Sequence, residues 1–374
     1  MHSDYIKLAA ALLTSYVLTY IFIPSIIKVA NIKHLYDTPG SRKSHTNVIP
    51  TLGGVGIFGG FMISFCLFAA FGPRSHEMKF ILAALCFTFM LGAKDDIVEL
   101  VASKKFIGQI FAASIIVILG DIRITSLYGL FGISYIGDIT SIILSIITII
   151  FIINAFNLID GINLLAGSVT ILMAVVFGAW FYYYSFFDYA VIAVAMSGAV
   201  LAFLKYNYSP AKIFMGDSGS LSIGLLAAVL AIQFIEKNEM VSFTHHEKLI
   251  QITAAPAMAV AILIIPIFDT LRVFTVRILD KKSPFEADRN HIHHRLLDLG
   301  FSHHKATYIL IAVNILFIIV CYFLQEWGNL FLMLFEFGLA AILTFILFSI
   351  RLKKKETTPN KTTKPISLTL ELEA

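Results

Sequence analysis

Charge is what this sequence has least of: Asp, Glu, Lys and Arg make up 14 % of its 374 residues, against roughly 25 % in soluble domains. With a mean hydropathy of +0.85, that scarcity excludes a soluble globule. Cysteine is nearly absent as well. Cys66, Cys86 and Cys321 are too few to staple a disulfide-rich secreted domain. Each falls inside an apolar run, where a thiol behaves as a small hydrophobe and says nothing of redox compartment. What the chain has in excess is apolar side chains, 58 % of the total. That excludes intrinsic disorder and suffices for about eleven stretches of about 20 residues each.

The apolar runs lie near 6–30, 52–72, 79–93, 106–120, 139–156, 164–184, 188–204, 219–235, 249–268, 307–324 and 330–350. In lipid each must satisfy its own backbone hydrogen bonds, so each reads as a helix. The expected fold class is therefore all-α, a polytopic integral membrane protein with about eleven transmembrane helices. The third and fourth runs are short for a bilayer. The first is too long and too poor in basic residues for a cleaved signal and is expected to remain as a span. No internal repeat of the transporter kind is visible.

Alternate loops (31–50, 94–105, 157–163, 205–218, 269–306 and the tail from 351) hold about 21 of the 28 Lys and Arg residues, which marks them as cytoplasmic. The opposite face keeps Lys7, Arg74, Lys79, Arg123, Lys237 and Lys248. The amino terminus is thus expected outside and the carboxyl terminus in the cytoplasm. One membrane domain is expected over 1–350. The basic tail 351–374 reads as a juxtamembrane anchor followed by disorder.

The basic loops also carry the dense polar clusters, which suggests one site built from many loops. Asp95 and Asp96 end the third run. Adjacent carboxylates at a membrane edge call for a nearby cation, a hard divalent ion being the usual one; a solvated helix end is the alternative. Asn154, Asn157, Asp160, Gly161 and Asn163 end the fifth run, with Asn157 and Asp160 at helical spacing. A simple C-cap explains the glycine but not four polar side chains. Asn207 opens a third cluster that ends in Met215-Gly-Asp217-Ser-Gly-Ser220. Asp217 or Ser218 either caps the next helix or builds a phosphate and cation site at its N-terminus.

The fourth cluster is the strongest: Asp269, Arg272, Arg289, Asn290, His291, His293, His294 and Arg295. Zinc is disfavoured by the absence of cysteine and of an H-E-x-x-H pattern. A pyrophosphate clamp suits the arginine forks better. His303 and His304 read as polarity at the start of a helix. A fifth cluster joins Arg42, Lys43 and His45 to Gly53, Gly54 and Gly56, the glycines suiting close helix packing.

Asp95-Asp96, Asn154-Ala-Phe-Asn157-Leu-Ile-Asp160-Gly161, Phe214-Met-Gly-Asp217-Ser-Gly-Ser220 and His291-Ile-His293-His294-Arg295, in this order and on one expected face, resemble the polyprenyl-phosphate N-acetylhexosamine-1-phosphate transferases. The His-Ile-His-His form is similar to the branch that initiates O-antigen (lipopolysaccharide), enterobacterial common antigen and teichoic-acid linkage units. The resemblance implies transfer of N-acetylglucosamine 1-phosphate, or of a related N-acetylhexosamine 1-phosphate, from the UDP-sugar to undecaprenyl phosphate with release of UMP. It implies a multi-pass protein of the bacterial inner membrane with a cytoplasmic active site, using Mg2+ with Mn2+ as a substitute. Partners are the UDP-sugar, undecaprenyl phosphate and membrane lipid, not nucleic acid, with a homodimer left open.

By the same resemblance Asp95, Asp96, Asp160, His291, His293, His294 and Arg295 are assigned to catalysis, and Asp217, Asn157 and Asp96 to the metal. Substrate contacts fall to Lys43, His45, Lys104, Asn154, Asn163, Asn207, Asp269, Arg272 and Arg289. Position 163 departs from the family, since many members have Asp where this chain has Asn163. Direct attack by the acceptor phosphate, with Asp95 orienting or deprotonating it, and a covalent aspartyl route are both open. Rival readings are a transferase for UDP-MurNAc-pentapeptide, a CDP-alcohol transferase, and a transporter or flippase. The CDP-alcohol pattern is not continued after Asp160-Gly161, and a transporter would want charges near span midpoints.

Overall fold

The computed structural model describes residues 2–37, 49–72, 75–244, 251–281 and 290–357. Lys43, His45, Arg289 and the tail beyond residue 357 lie outside the described residues. The chain enters as α1 (His2–Lys33), followed by a two-residue antiparallel ladder of β1 (Tyr36–Asp37) with β2 (Ile49–Pro50). Then come α2 (Gly53–Phe68), α3 (Glu77–Val98), α4 (Ala102–Ser114) continued by a π-helical turn, α5 (Asp138–Ile159), α6 (Leu165–Tyr183) and α7 (Phe187–Asn207). The second half holds α8 (Gly216–Thr244), α9 (Ala255–Ile262), α10 (Ile264–Leu279), the short α11 (Ile292–Asp298), α12 (His303–Leu324) and α13 (Asn329–Thr357).

Each of the eleven apolar runs contains helix among the described residues, and the protein is an all-α polytopic membrane protein. Among the described residues eight helices are long and apolar enough to cross a bilayer: α1, α4 with its π-turn, α5, α6, α7, α8, α12 and α13. The remaining runs fall short for separate reasons. α2 has 16 residues, and α3 carries Lys94, Asp95 and Asp96 inside its helix as well as Glu77 and Lys79. The ninth run, expected as one straight span over 249–268, is broken.

That break sits at Leu263, where α9 and α10 meet at 81°. Pro266 is the cause. It lacks the N–H that would bond the Ile262 carbonyl, and its ring would clash there. Asn314 of α12 fills the gap, donating from Nδ2 to the carbonyls of Ala261 (2.9 Å) and Ile262 (3.2 Å). An unsatisfied buried carbonyl costs about 1–3 kcal/mol. Asn314→Leu should therefore lower the thermal unfolding midpoint, whereas a solvated surface substitution would not. The bend also corrects the expected loop over 269–306: α10 continues to Leu279 and carries Asp269 and Arg272 on a helix.

α8 is the hub of the bundle. It is apolar on every side, nearly all of it is buried, and it packs against α3, α5, α2, α6 and α7. The outer helices α1 and α13 instead turn side chains such as Ile21, Leu334 and Phe345 outward, as lipid-facing surfaces require. Short side chains let α1 and α2 approach: Ser64 donates to the Ala11 carbonyl (2.6 Å), and Thr19 donates to that of Gly56 (3.2 Å). Because α8 is central, its N-terminal turn is held by α3, α5 and the start of α2.

Candidate active site

The N-terminus of α8 is built by three segments distant in sequence. Pro50 and Gly53-Gly54 pair with Phe214-Met215 through Phe214 N–H to Pro50 O (2.8 Å), Gly53 N–H to Phe214 O (2.9 Å) and Gly54 N–H to Met215 O (2.7 Å). A Cβ on Gly54 would strike the Gly219 backbone, and one on Gly92 of α3 would strike Asp217 and Ser218. Close packing is thus what Gly53 and Gly54 supply. Gly216 opens the helix at φ +73°, a left-handed conformation that glycine adopts at little cost.

Asp96 of α3 caps this helix. Its Oδ1 accepts from Asp217 N–H (2.6 Å) and its Oδ2 from Ser218 N–H (3.0 Å), satisfying two of the amides that a helix start leaves open. Both Asp96 oxygens are thereby engaged with backbone. Asp217 projects from the capped turn. Asn157 of α5 donates to its Oδ1 at 2.7 Å and to Ser220 Oγ at 2.9 Å. Lys105 of α4 pairs with Asp217 and, at 3.1 Å, with Asp95.

Lys105 is the residue that sequence reasoning missed. Its neighbour Lys104, the expected contact, is exposed, while Lys105 lies between the two carboxylates. Helical phase was the available signal. α4 begins at Ala102, one short turn after α3 ends, so only one of two adjacent lysines can face Asp95.

Asp160 caps the C-terminal end of α5 beside this cluster. Burial, together with the Asp217 and Asp96 carboxylates, raises its pKa well above the ordinary aspartate value, although the Gly216 amide opposes the shift. Four aspartates therefore gather at one helix end, and Lys105 is paired to two of them.

A second unit faces them. Asp269, 2 % exposed, binds three groups: His291 Nδ1 at 2.9 Å, the Ile292 amide at 3.0 Å and Arg272 Nη2 at 2.8 Å. Arg272 also donates to the Asn290 carbonyl, and Arg295 to the Asn290 side chain. Both guanidinium groups lie over the Phe348 ring, at 5.7 and 5.1 Å. His293 stacks on His291 and meets His294 at 4.3 Å between centroids. Its ring rests on Gly161, where any Cβ would collide with Nε2. Gly161 is thus the point at which the histidine unit touches the aspartate unit.

Burial, with His294 and His291 adding to it, lowers the His293 pKa well below the usual imidazole value. His293 is therefore neutral at working pH. As pH falls below about 6.5 the unfolded chain takes up a proton here that the folded chain refuses, so stability falls with pH. Melting in detergent from pH 7.5 to 5 should show this decline. His293→Gln should flatten it, and an unchanged slope would contradict the assignment.

Other expected site residues hold the scaffold. Asn154 exchanges amide hydrogen bonds with Gln109 and donates to the Ile150 carbonyl. Asn207 accepts from Leu164 N–H (2.7 Å) and donates to Ile213 O (3.0 Å), leaving its amide inside the fold. Asn163 contributes backbone: its N–H meets His303 Nδ1 at 3.3 Å and its carbonyl accepts from Thr307 at 3.1 Å. His304 accepts from Ser209 N–H and stacks on Tyr208. His303 and His304 thus tie loops to α12.

The chain matches known proteins over these same elements. The glycosyl transferase family 4 profile covers residues 78–235. The decaprenyl-phosphate N-acetylglucosaminephosphotransferase of Mycolicibacterium smegmatis is 33 % identical over 326 residues, covering 81 % of this chain and 79 % of that protein. The undecaprenyl-phosphate alpha-N-acetylglucosaminyl 1-phosphate transferase of Salmonella typhimurium is 29 % identical over 339 residues, 88 % of each. A probable undecaprenyl-phosphate N-acetylglucosaminyl 1-phosphate transferase of Bacillus subtilis is 29 % identical over 340 residues, 87 % of this chain and 88 % of that protein. The profile takes in the aspartate unit, and with the Mycolicibacterium smegmatis relative matched over most of both proteins the chain belongs to glycosyl transferase family 4, among the polyprenyl-phosphate N-acetylhexosamine-1-phosphate transferases.

Proposed function

We propose that this enzyme transfers N-acetylglucosamine 1-phosphate from UDP-N-acetylglucosamine to undecaprenyl phosphate, releasing UMP, at the cytoplasmic face of a bacterial plasma membrane. The observation that carries this reading is the meeting of two units at Gly161: carboxylates and Lys105 at the α8 N-terminus, histidines and arginines around Asp269. Two anionic substrates need cationic and hydrogen-bonding groups between them, at the boundary where one arrives from lipid and the other from water. The excess of Lys and Arg in the alternate loops supports a cytoplasmic boundary with the amino terminus outside. Eleven crossings follow if α2, α3 and the bent α9–α10 pair join the eight long helices.

A divalent cation, magnesium by its hardness, fits the donor set. All the gathered ligands are oxygen donors, and the excess of carboxylates over ammonium is relieved by a cation. Among the described residues no three acidic, histidine or cysteine side chains form a ready-made cage, and Lys105 stands between Asp95 and Asp217. Asp217, Asn157 and Asp160 are the residues to hold the ion, while Asp96 keeps Asp217 in place from its cap. The ion supplies charge stabilisation on the diphosphate.

The acceptor phosphate is mostly dianionic at neutral pH and needs little help from a base. Asp95, held by Lys105 and by the Leu100 amide, orients the groups around it. Lys105 screens the approach of one phosphate to another, and the His291–Arg295 segment stabilises charge on the leaving UMP. In detergent, UMP release should require UDP-N-acetylglucosamine, undecaprenyl phosphate and magnesium together. Release without the lipid would overturn direct attack. A preference for UDP-MurNAc-pentapeptide would overturn the donor, and activity in chelator would overturn the metal.

A further inference from the structure

A cavity of about 830 Å3 lies at the end of the bundle opposite the aspartate cluster. It is within the size range of about 300–1,000 Å3 typical of ligand sites. Its wall along α6 runs from Val175 to Tyr183, eight residues or about 12 Å of helix. Opposite stand Met258 and Ile262 of α9, the latter just before the break. The cavity thus reaches from the bundle end to about mid-membrane depth, close to half of a hydrocarbon core about 30 Å thick.

Its chemistry is graded along that depth. The inner part is aliphatic. The outer part is ringed by Tyr5, Trp180, Tyr182 and Tyr183, the residue types that settle at the membrane interface. Trp180 is 7 % exposed, and its indole Nε1 has no hydrogen-bond acceptor; its close ring neighbours are Phe181, Tyr184, Phe186 and Phe234. Two cations lie toward that end of the bundle: Lys7 is 5.8 Å from the ring of Phe187, a wall residue, and Lys237 is 5.8 Å from the ring of Phe186, the residue before it. Asp4 is the carboxylate on that rim.

We propose that this cavity seats one acyl chain of an anionic phospholipid from the leaflet opposite the active site. The chain lies along the aliphatic inner wall, the ester group sits level with the tyrosines of the mouth, and the phosphate rests against Lys7 and Lys237. The depth suits an acyl chain, whereas the acceptor's polyprenyl chain is far too long for it. The site is separate from the chemistry: Phe234 lies eighteen residues, or about 27 Å, along α8 from Gly216. It serves as a structural lipid site that fills the gap between α6 and α9.

The test uses the purified full chain in detergent, delipidated and then offered phosphatidylglycerol, phosphatidylcholine or undecaprenyl phosphate, with bound lipid counted by native mass spectrometry and melting followed in parallel. Phosphatidylglycerol should bind and raise the melting midpoint more than the other two. Lys7→Glu and Lys237→Glu should each weaken that binding at least about fivefold. Ala179→Trp, which fills the cavity, should abolish it while UMP release in detergent persists. Equal binding of phosphatidylglycerol by the wild type and the two lysine variants would overturn the proposal, as would preferential retention of undecaprenyl phosphate. Should Ala179→Trp not fold, the lysine variants decide alone.

Discussion

Asp217→Ala is expected to abolish sugar-phosphate transfer, lowering the rate by roughly 10²–10³-fold or more, the range seen when one aligned electrostatic group is removed from a reacting centre. The side chain is the common point of three elements: Lys105 from α4, Asn157 from α5, and the α8 turn capped by Asp96 from α3. Truncation leaves Lys105 paired to Asp95 alone, so the fold persists but the cation site loses its central oxygen. The check is UMP release beside a thermal melt. A melt within a few degrees of wild type with activity lost supports the assignment. Full activity in magnesium would remove Asp217 from the reacting machinery.

Asp269→Ala is expected to damage both stability and rate. This carboxylate is buried and binds His291, Arg272 and the α11 amide of Ile292. Removing one member of a buried ion pair costs about 3–5 kcal/mol, because its partner is left without compensation. It also frees His291 from the bond that fixes its ring and tautomer, and losing such an orienting partner lowers activity about 10–100-fold. Asp269→Asn separates the two effects. It keeps an acceptor for Ile292 N–H and much of the shape, so a melt near wild type with reduced kcat would assign Asp269 to positioning rather than to folding alone. Unchanged kcat in Asp269→Asn would confine it to structure.

These two residues differ in how legible they were. Asp217 sits in a compact motif between two glycines, where spacing alone suggests a helix start that binds anions or cations. Asp269 lies twenty-two residues before His291, and no local pattern joins them. Their contact depends on the chain returning after α10 so that the start of α11 lies against Asp269. Pro266 was visible, but the angle of a kink depends on which neighbour receives the freed carbonyls, here Asn314 from a helix nearly fifty residues on.

Asp96 and Asn207 show the converse. Polar residues that the sequence places in a promising cluster also satisfy backbone groups: Asp96 the α8 amides, Asn207 the Leu164 amide and Ile213 carbonyl. A one-dimensional pattern cannot distinguish a side chain that faces a ligand from one that faces a peptide group, since both demand the same oxygen or nitrogen.

The sequence by itself determined the membrane class, the helical content and the family. Lipid leaves backbone groups no partner but their own helix, and the four polar motifs stand in register at helix ends. Tertiary structure alone decided which of those residues meet. It chose Lys105 over Lys104, turned Asp96 into a cap, and brought His293 onto Gly161. Helical phase and the bend at Leu263 set these contacts, and both depend on packing between segments far apart in the chain.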